Sequence, residues 1–321
     1  MSLARFLLLA LLAMPLAGVA AAAEDDPWIM LEKAGQAAHK LNYRGVFVYQ
    51  CGRSVSSTQI THMNFQQGEF ARLVSLDGAP REVLRQGNEV VVFNQNNEKV
   101  TIEKRHVQNA FPAILPGLPA TLKASYRARF AGEERVGGRD GVIIQLEPRD
   151  GYRYGYRFTV DREFGLLLKS VMLDEGRKPI EQVAFNQLSL MSAEGLDWFR
   201  PQVEVGKTYV MQPEETVTPA VDESGWVVAQ LPPGFRKMHQ VKRNVPGKSV
   251  PVHHLIFSDG MASVSLFVEA YDRNRPAALG YARHGATNIN VTVMDGHQVV
   301  VVGEVPEATV KQIAAAVSIK K

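Results

Sequence analysis

The sequence predicts an α+β protein in two parts, a large antiparallel sheet domain followed by a small α+β domain. Three observations carry this expectation. One amphipathic helical segment opens the mature chain, and a long succession of short Val-, Ile-, Tyr-, Phe- and Thr-rich runs follows it, separated by polar or glycine turns. A stretch rich in proline and acid, 206–225, then breaks the pattern before apolar periodicity resumes. The chain has 321 residues, and a prior of ~150 residues per domain makes room for two cores. The expected division is a leader over 1–23, a first domain over 24–205, a linker over 206–225 and a second domain over 226–321.

The leader comes first. Arg5 is its lone charge, Phe6 to Leu12 form an apolar run, and Ala21-Ala22-Ala23 supplies a small-residue cleavage site before Glu24, the pattern of a secretory signal peptide. The run is shorter than the ~20 residues of a membrane span. Cys51 lies far from the cleavage point, so no lipid anchor is expected, and the reading is a free periplasmic protein, with eukaryotic secretion the second choice. As the only cysteine, Cys51 has no partner within the chain; its place after Val46-Phe47-Val48-Tyr49 predicts a buried small hydrophobe, the alternative being a disulfide between copies.

The opening helix is announced by Asp25 and Asp26 as caps, Pro27 in the first turn, and Trp28, Leu31, Ala34, Ala38 and Leu41 at helical spacing. Strands are expected near 43–51, 56–65, 69–75, 80–86, 89–94 and 98–102, with turns at Asp77-Gly78, Gln86-Gly87-Asn88 and Asn94 to Asn97. Prolines 112, 116 and 119 prevent a single helix over 109–122 and predict short turns over the sheet, a candidate lid. Strands then resume at 125–136, 141–148, 152–161, 165–174 and 179–190. Along 152–159, Tyr152, Tyr154, Tyr156 and Phe158 alternate with Arg153, Gly155, Arg157 and Thr159, predicting one aromatic and one polar or basic face. In the second domain, strands at 251–258, 261–270, 288–294 and 297–303 precede a helix over 306–317, whose apolar face is Val310, Ile313, Ala314 and Val317.

Signatures of catalysis are missing. There is no G-x-S-x-G elbow and no H-E-x-x-H pair, and Gly247-Lys248-Ser249 lacks the earlier glycine of a phosphate loop because position 242 is Lys. His253 and His254 are adjacent, so on a strand they face opposite ways and make a poor metal pair. No metal or other cofactor and no catalytic residue is therefore expected. Loss of the leader removes Arg5 alone, leaving 35 basic against 33 acidic residues, and neither this balance nor export suggests a nucleic-acid partner.

Binding is the better supported class. Phe47, Tyr49, Ile143, Tyr154, Tyr156 and Phe158 on the sheet, with Phe111 and Leu115 from the proline-broken segment, would form an apolar face. Core packing alone accounts for such a face, but a curved sheet under loose turns can also leave a ligand-sized cavity of ~300–1,000 Å³. A second feature is the segment Phe235 to Ser258, which contains Arg236, Lys237, Lys242, Arg243 and Lys248 and no acid. It reads as a solvated basic face or as a landing strip for an acidic peptide or anionic headgroup.

Specific strings then add a resemblance. Tyr43-Arg44-Gly45-Val46-Phe47-Val48-Tyr49, Leu76-Asp77-Gly78-Ala79-Pro80-Arg81-Glu82-Val83, Arg153-Tyr154-Gly155-Tyr156, Leu231-Pro232-Pro233-Gly234-Phe235, Ser258-Asp259-Gly260-Met261-Ala262 and Gly303-Glu304-Val305-Pro306 run in the order found in the MucB/RseB family of periplasmic regulators, which the chain resembles along both domains. The resemblance implies a LolA/LolB-like first domain, a half-barrel of curved antiparallel sheet with covering helices around an apolar cavity, and a small α+β second domain. It implies binding to the periplasmic segment of a membrane-bound anti-sigma factor, shielding of that segment from proteolysis, and release by lipopolysaccharide or another acyl lipid. It places candidate protein contacts at Leu231, Pro232, Pro233, Gly234 and Phe235, to which the neighbouring Arg236, Lys237, Lys242 and Arg243 are added on charge. A lipid or lipoprotein carrier is the alternative function, and a homo-oligomer remains open.

Overall fold

A computed structural model describes residues 26–65, 68–95, 99–106, 110–115, 120–192, 195–200, 208–211, 217–219, 225–243, 251–272 and 278–319. The expected leader, Pro116, Pro119, the turn at 247–249 and most of 206–225 lie outside these residues.

Helix α1 (Pro27–Lys40) starts as its sequence requires: Pro27 fills the first turn and the Asp26 carboxylate accepts from the Trp28 amide at 3.0 Å. Its buried stripe, including Leu31, Ala34 and Ala38, lies on a twelve-stranded sheet. The first half of that sheet is a meander of β1 (Tyr43–Cys51), β2 (Ser54–Phe65), β3 (Gly68–Ser75), β4 (Arg81–Gln86), β5 (Glu89–Gln95) and β6 (Lys99–His106). After the short helix α2 (Ala120–Ser125), a second meander runs through β7 (Tyr126–Val136), β8 (Arg139–Pro148), β9 (Gly155–Asp161), β10 (Leu167–Leu173) and β11 (Pro179–Leu190). Pairing of β11 with β1, Tyr43 opposite Leu190, joins the halves into one curved, open sheet. The α+β architecture with a large half-barrel is thus present, with one departure from pure antiparallel pairing: β12 (Thr208–Met211) adds to β6 in parallel at the sheet edge.

β13 (Val217–Pro219) begins the second body, so the segment read as a linker contributes an edge strand to each sheet. β14 (Trp226–Val228), β15 (Arg236–Arg243), β16 (Val252–Ser258), β17 (Ser263–Ala270), β18 (Gly280–His284), β19 (Thr287–Met294) and β20 (His297–Gly303) follow, then α3 (Glu307–Ala315) and β21 (Val317–Ile319). Seven of these strands form one antiparallel sheet, while β14 pairs with β21 beside it. Val310, Ile313 and Ala314 of α3 pack with Leu255, Leu266, Val299 and Val301 in a separate core. Six strands escaped the sequence reading: β12 and β13 lie in the expected linker, β14 and β21 are only three residues long, the latter taking Val317 from the expected helix face, and β15 and β18 fall between the expected strands. β15 is basic and its first half exposed, and β18 is exposed throughout, so neither shows the apolar alternation that marks a half-buried strand.

Candidate functional site

Six of the eight residues predicted to face a lipid belong to one buried cluster: Phe47, Phe111, Leu115, Tyr154, Tyr156 and Phe158. The Phe111 ring sits 5.3 Å from Phe47 and 5.0 Å from Phe185, and Tyr156 stacks on Phe158 at 5.4 Å. The proline-broken segment inserts Phe111, Ala113 and Leu115 beneath α1, where a Cβ at Gly35 would stand 2.2 Å from the Leu115 carbonyl oxygen. Only glycine permits that approach. The other two residues lie elsewhere. Ile143 is half-buried on the face opposite Ile144 and Leu146, by strand alternation, and Tyr49 is half-buried at the end of β1 beside Glu181 and Cys51. Burial, followed by the charge of Glu181, pushes the Tyr49 phenol up, and burial, followed by the charge of Glu304, does the same to the Glu181 carboxyl.

The seam between the domains is held by buried polar contacts. Arg153, expected on the polar or basic face of a strand, lies before β9 begins at Gly155 and turns inward; it is the largest fully buried side chain among the described residues. Its Nε donates to Asp150 at 3.0 Å, its Nη1 to Asp259 at 2.5 Å and its Nη2 to the Pro233 carbonyl, and its guanidinium lies over the rings of Phe235 (5.2 Å) and Tyr126 (5.7 Å). Gly234, at φ +80°, brings the chain so close that a Cβ would stand 2.7 Å from the Ser125 hydroxyl. On the other side of the seam, Asn288 donates to the Tyr154 hydroxyl at 2.8 Å and the Val305 carbonyl at 2.6 Å, and Thr309 donates to the Tyr152 carbonyl at 2.6 Å. Cys51 is half-buried here rather than in a core, against Gly285 of the second domain.

Four of the quoted strings therefore meet in one place. This geometry changes the expectation for Leu231 to Phe235. Phe235 and Pro232 are buried and Leu231 packs on the second core, while the exposed Pro233 has its carbonyl committed to Arg153. The string builds the seam before it can offer an open surface. Arg236 and Lys237 are exposed at the start of β15, and Lys242 and Arg243 half-buried at its end; Lys248 lies outside the described residues. His253 and His254 face opposite ways: His254 bonds Ser265 at 2.9 Å and is brought down to about 4 by burial and then Arg243, whereas His253 borders a cavity of about 250 Å³ with Lys242, Val268, Glu269 and His297. Among the described residues there is no group of three or more His, Cys, Asp or Glu placed to hold a metal.

Residues 26–207 match the MucB/RseB N-terminal domain and residues 220–318 the MucB/RseB C-terminal domain. The chain belongs to the MucB/RseB family. The sigma factor AlgU regulatory protein MucB of Pseudomonas aeruginosa is 31% identical over 308 residues, 92% of this chain and 91% of that protein. The sigma-E factor regulatory protein RseB of Haemophilus influenzae is 27% identical over 310 residues, 96% of each. A crystal structure of MucB in complex with MucA(peri) superposes with a TM-score of 0.73 at 28% identity, covering 92% of this chain and all of that one. A second MucB crystal structure gives a TM-score of 0.63 at 27% identity, covering 91% of this chain and 97% of that one. MucB/RseB proteins are regulatory binding proteins, and the half-barrel with its small second domain is the architecture of this family member.

Proposed function

We propose that this MucB/RseB protein is a periplasmic, non-enzymatic regulator of an envelope-stress sigma factor: it binds the periplasmic segment of a membrane-bound anti-sigma factor, shields it from proteolysis, and lets it go when lipopolysaccharide or another acyl lipid binds. The observation that carries this reading is the full-length correspondence with a MucB seated on MucA(peri), which spans both domains rather than the half-barrel alone. The physical arrangement supports a switch. A ligand shifts an equilibrium only by its differential affinity for the two states. An acyl chain entering beneath α1 must displace Phe111 and Leu115, and the same cluster takes in Ala286 and partly buried Met261 from the second domain. Insertion is thereby coupled to the seam, and the seam contains Leu231 to Phe235.

The test is a pull-down of the mature protein with the periplasmic segment of its host's anti-sigma factor, repeated with lipid A. Binding that lipid A reverses is the expected result. Lipid retention with no capture of the anti-sigma segment would replace the sensor with a carrier.

A further inference from the structure

On the outer face of the large sheet, away from both the apolar cluster and the seam, two guanidinium groups converge on one small cavity. Arg44 on β1 and Arg72 on β3 flank Thr61 of β2 in direct register. The cavity they share, about 130 Å³, is completed by Gln59, Val74 and Trp198. Trp198 comes from the short 3-10 turn Leu196–Phe199; its ring lies 4.6 Å from the Arg44 guanidinium carbon, and its carbonyl accepts from Arg72 Nη1 at 3.4 Å. The Gln59 oxygen, with its amide turned to satisfy both sides, accepts from Arg44 Nη2 and Nε at 2.9 and 3.0 Å. Arg72 Nε donates to Glu82 at 2.6 Å, in a pair whose side chains are only 11% and 10% exposed. Arg44 has no carboxylate within ion-pair distance among the described residues. Among the described residues one acid thus stands against two fixed cations, and Arg44 Nη1, Arg72 Nη2 and the Thr61 hydroxyl are left to donate.

We propose that this cavity is an anion site that takes a phosphate group. Three donor side chains from three adjacent strands suit the free oxygens of a phosphate monoester, whereas a planar carboxylate offers only two. The volume admits one such group and excludes an acyl chain or a sugar ring. Because the arginines stand on paired strands and are oriented by Gln59, Trp198 and Glu82, little side-chain freedom remains to be lost on binding. The site does not depend on the sensor reading, since it lies on the opposite face of the sheet.

Calorimetric titration of the mature protein with inorganic phosphate tests this, alongside binding to phosphatidylcholine vesicles with and without phosphatidic acid. Saturable phosphate binding is expected, weakened about tenfold or more in R44Q, for which no carboxylate is orphaned, and unchanged in R127Q, an exposed arginine on β7 at the far edge of the sheet. R44K serves as a second variant, retaining charge but losing the fork, and should also bind more weakly. Circular dichroism checks the fold of each. A preference for phosphatidic acid vesicles that R44Q abolishes would name a headgroup as the source; phosphate binding without vesicle preference would name free phosphate. Absence of saturable phosphate binding, or a folded R44Q that binds as tightly as the parent, would overturn the assignment.

Discussion

Replacing Asp259 by Asn probes the seam most directly. Arg153 and Asp259 both have 0% side-chain exposure, so their pairing is fully removed from water. Removal of one partner of such a pair costs ~3–5 kcal/mol because the other charge stays buried. Asn keeps the oxygen that accepts from the Met261 and Ala262 amides at 2.9 and 2.8 Å, so the turn survives, but it presents an amide donor to the guanidinium. Arg153 retains Asp150 at 3.0 Å and the Pro233 carbonyl, which places the loss near the lower bound, about 3 kcal/mol. That is about a hundredfold in the population of open forms. Urea unfolding followed by tryptophan fluorescence reads it, with Trp28 and Trp198 in the first domain and Trp226 in the second. The double variant R153M/D259L, which removes both charges, should recover most of the loss. A D259N protein within ~0.5 kcal/mol of the parent, or a double variant no better than the single, would refute the buried-pair account.

Other expectations follow from the same geometry. The Tyr126 hydroxyl is buried with no hydrogen-bond partner among the described residues, so Tyr126→Phe should stabilise by ~1 kcal/mol and raise the melting temperature by about 2 °C in a calorimetric scan. Gly35→Ala forces a methyl onto the Leu115 carbonyl; a cost of ~1–3 kcal/mol and increased binding of an apolar dye should accompany displacement of the covering segment. Burial alone would raise the Glu69 carboxyl, but hydrogen bonds from His39 and His62 and the charge of Arg85 bring it from 4.5 down to about 2. A depressed carboxyl contributes stability above its unfolded value, so the contribution, about 2 kcal/mol after allowance for solvent, should vanish as pH falls from 4.5 towards 2. Glu69→Gln should flatten this acid limb in denaturation curves measured across that range.

Sequence and structure divide the explanation unevenly. The cap at Asp26, the meander strands and the apolar stripe of α3 were legible because each is written in neighbouring residues, as a capping hydroxyl or carboxylate, a period of two or a period near 3.6. The exposed strand β18 was illegible for the same reason, since its residues carry no buried face. For the candidate site, the strings were visible but their destination was not. Arg153 looked like a polar position on a strand, and nothing beside Phe235 in the sequence told that its ring lies against the Arg153 guanidinium.

What the sequence by itself determined is local: where helices and strands start, which positions alternate, and the ordered strings that carry the family resemblance. What only the tertiary structure decided is pairing at a distance. Arg153 and Asp259 are 106 residues apart, and no periodicity links them. Likewise, Phe111 and Leu115 read the same whether they wall a cavity or fill it. Apolar composition fixes that such residues leave water, while the shape of the folded sheet decides what they meet there.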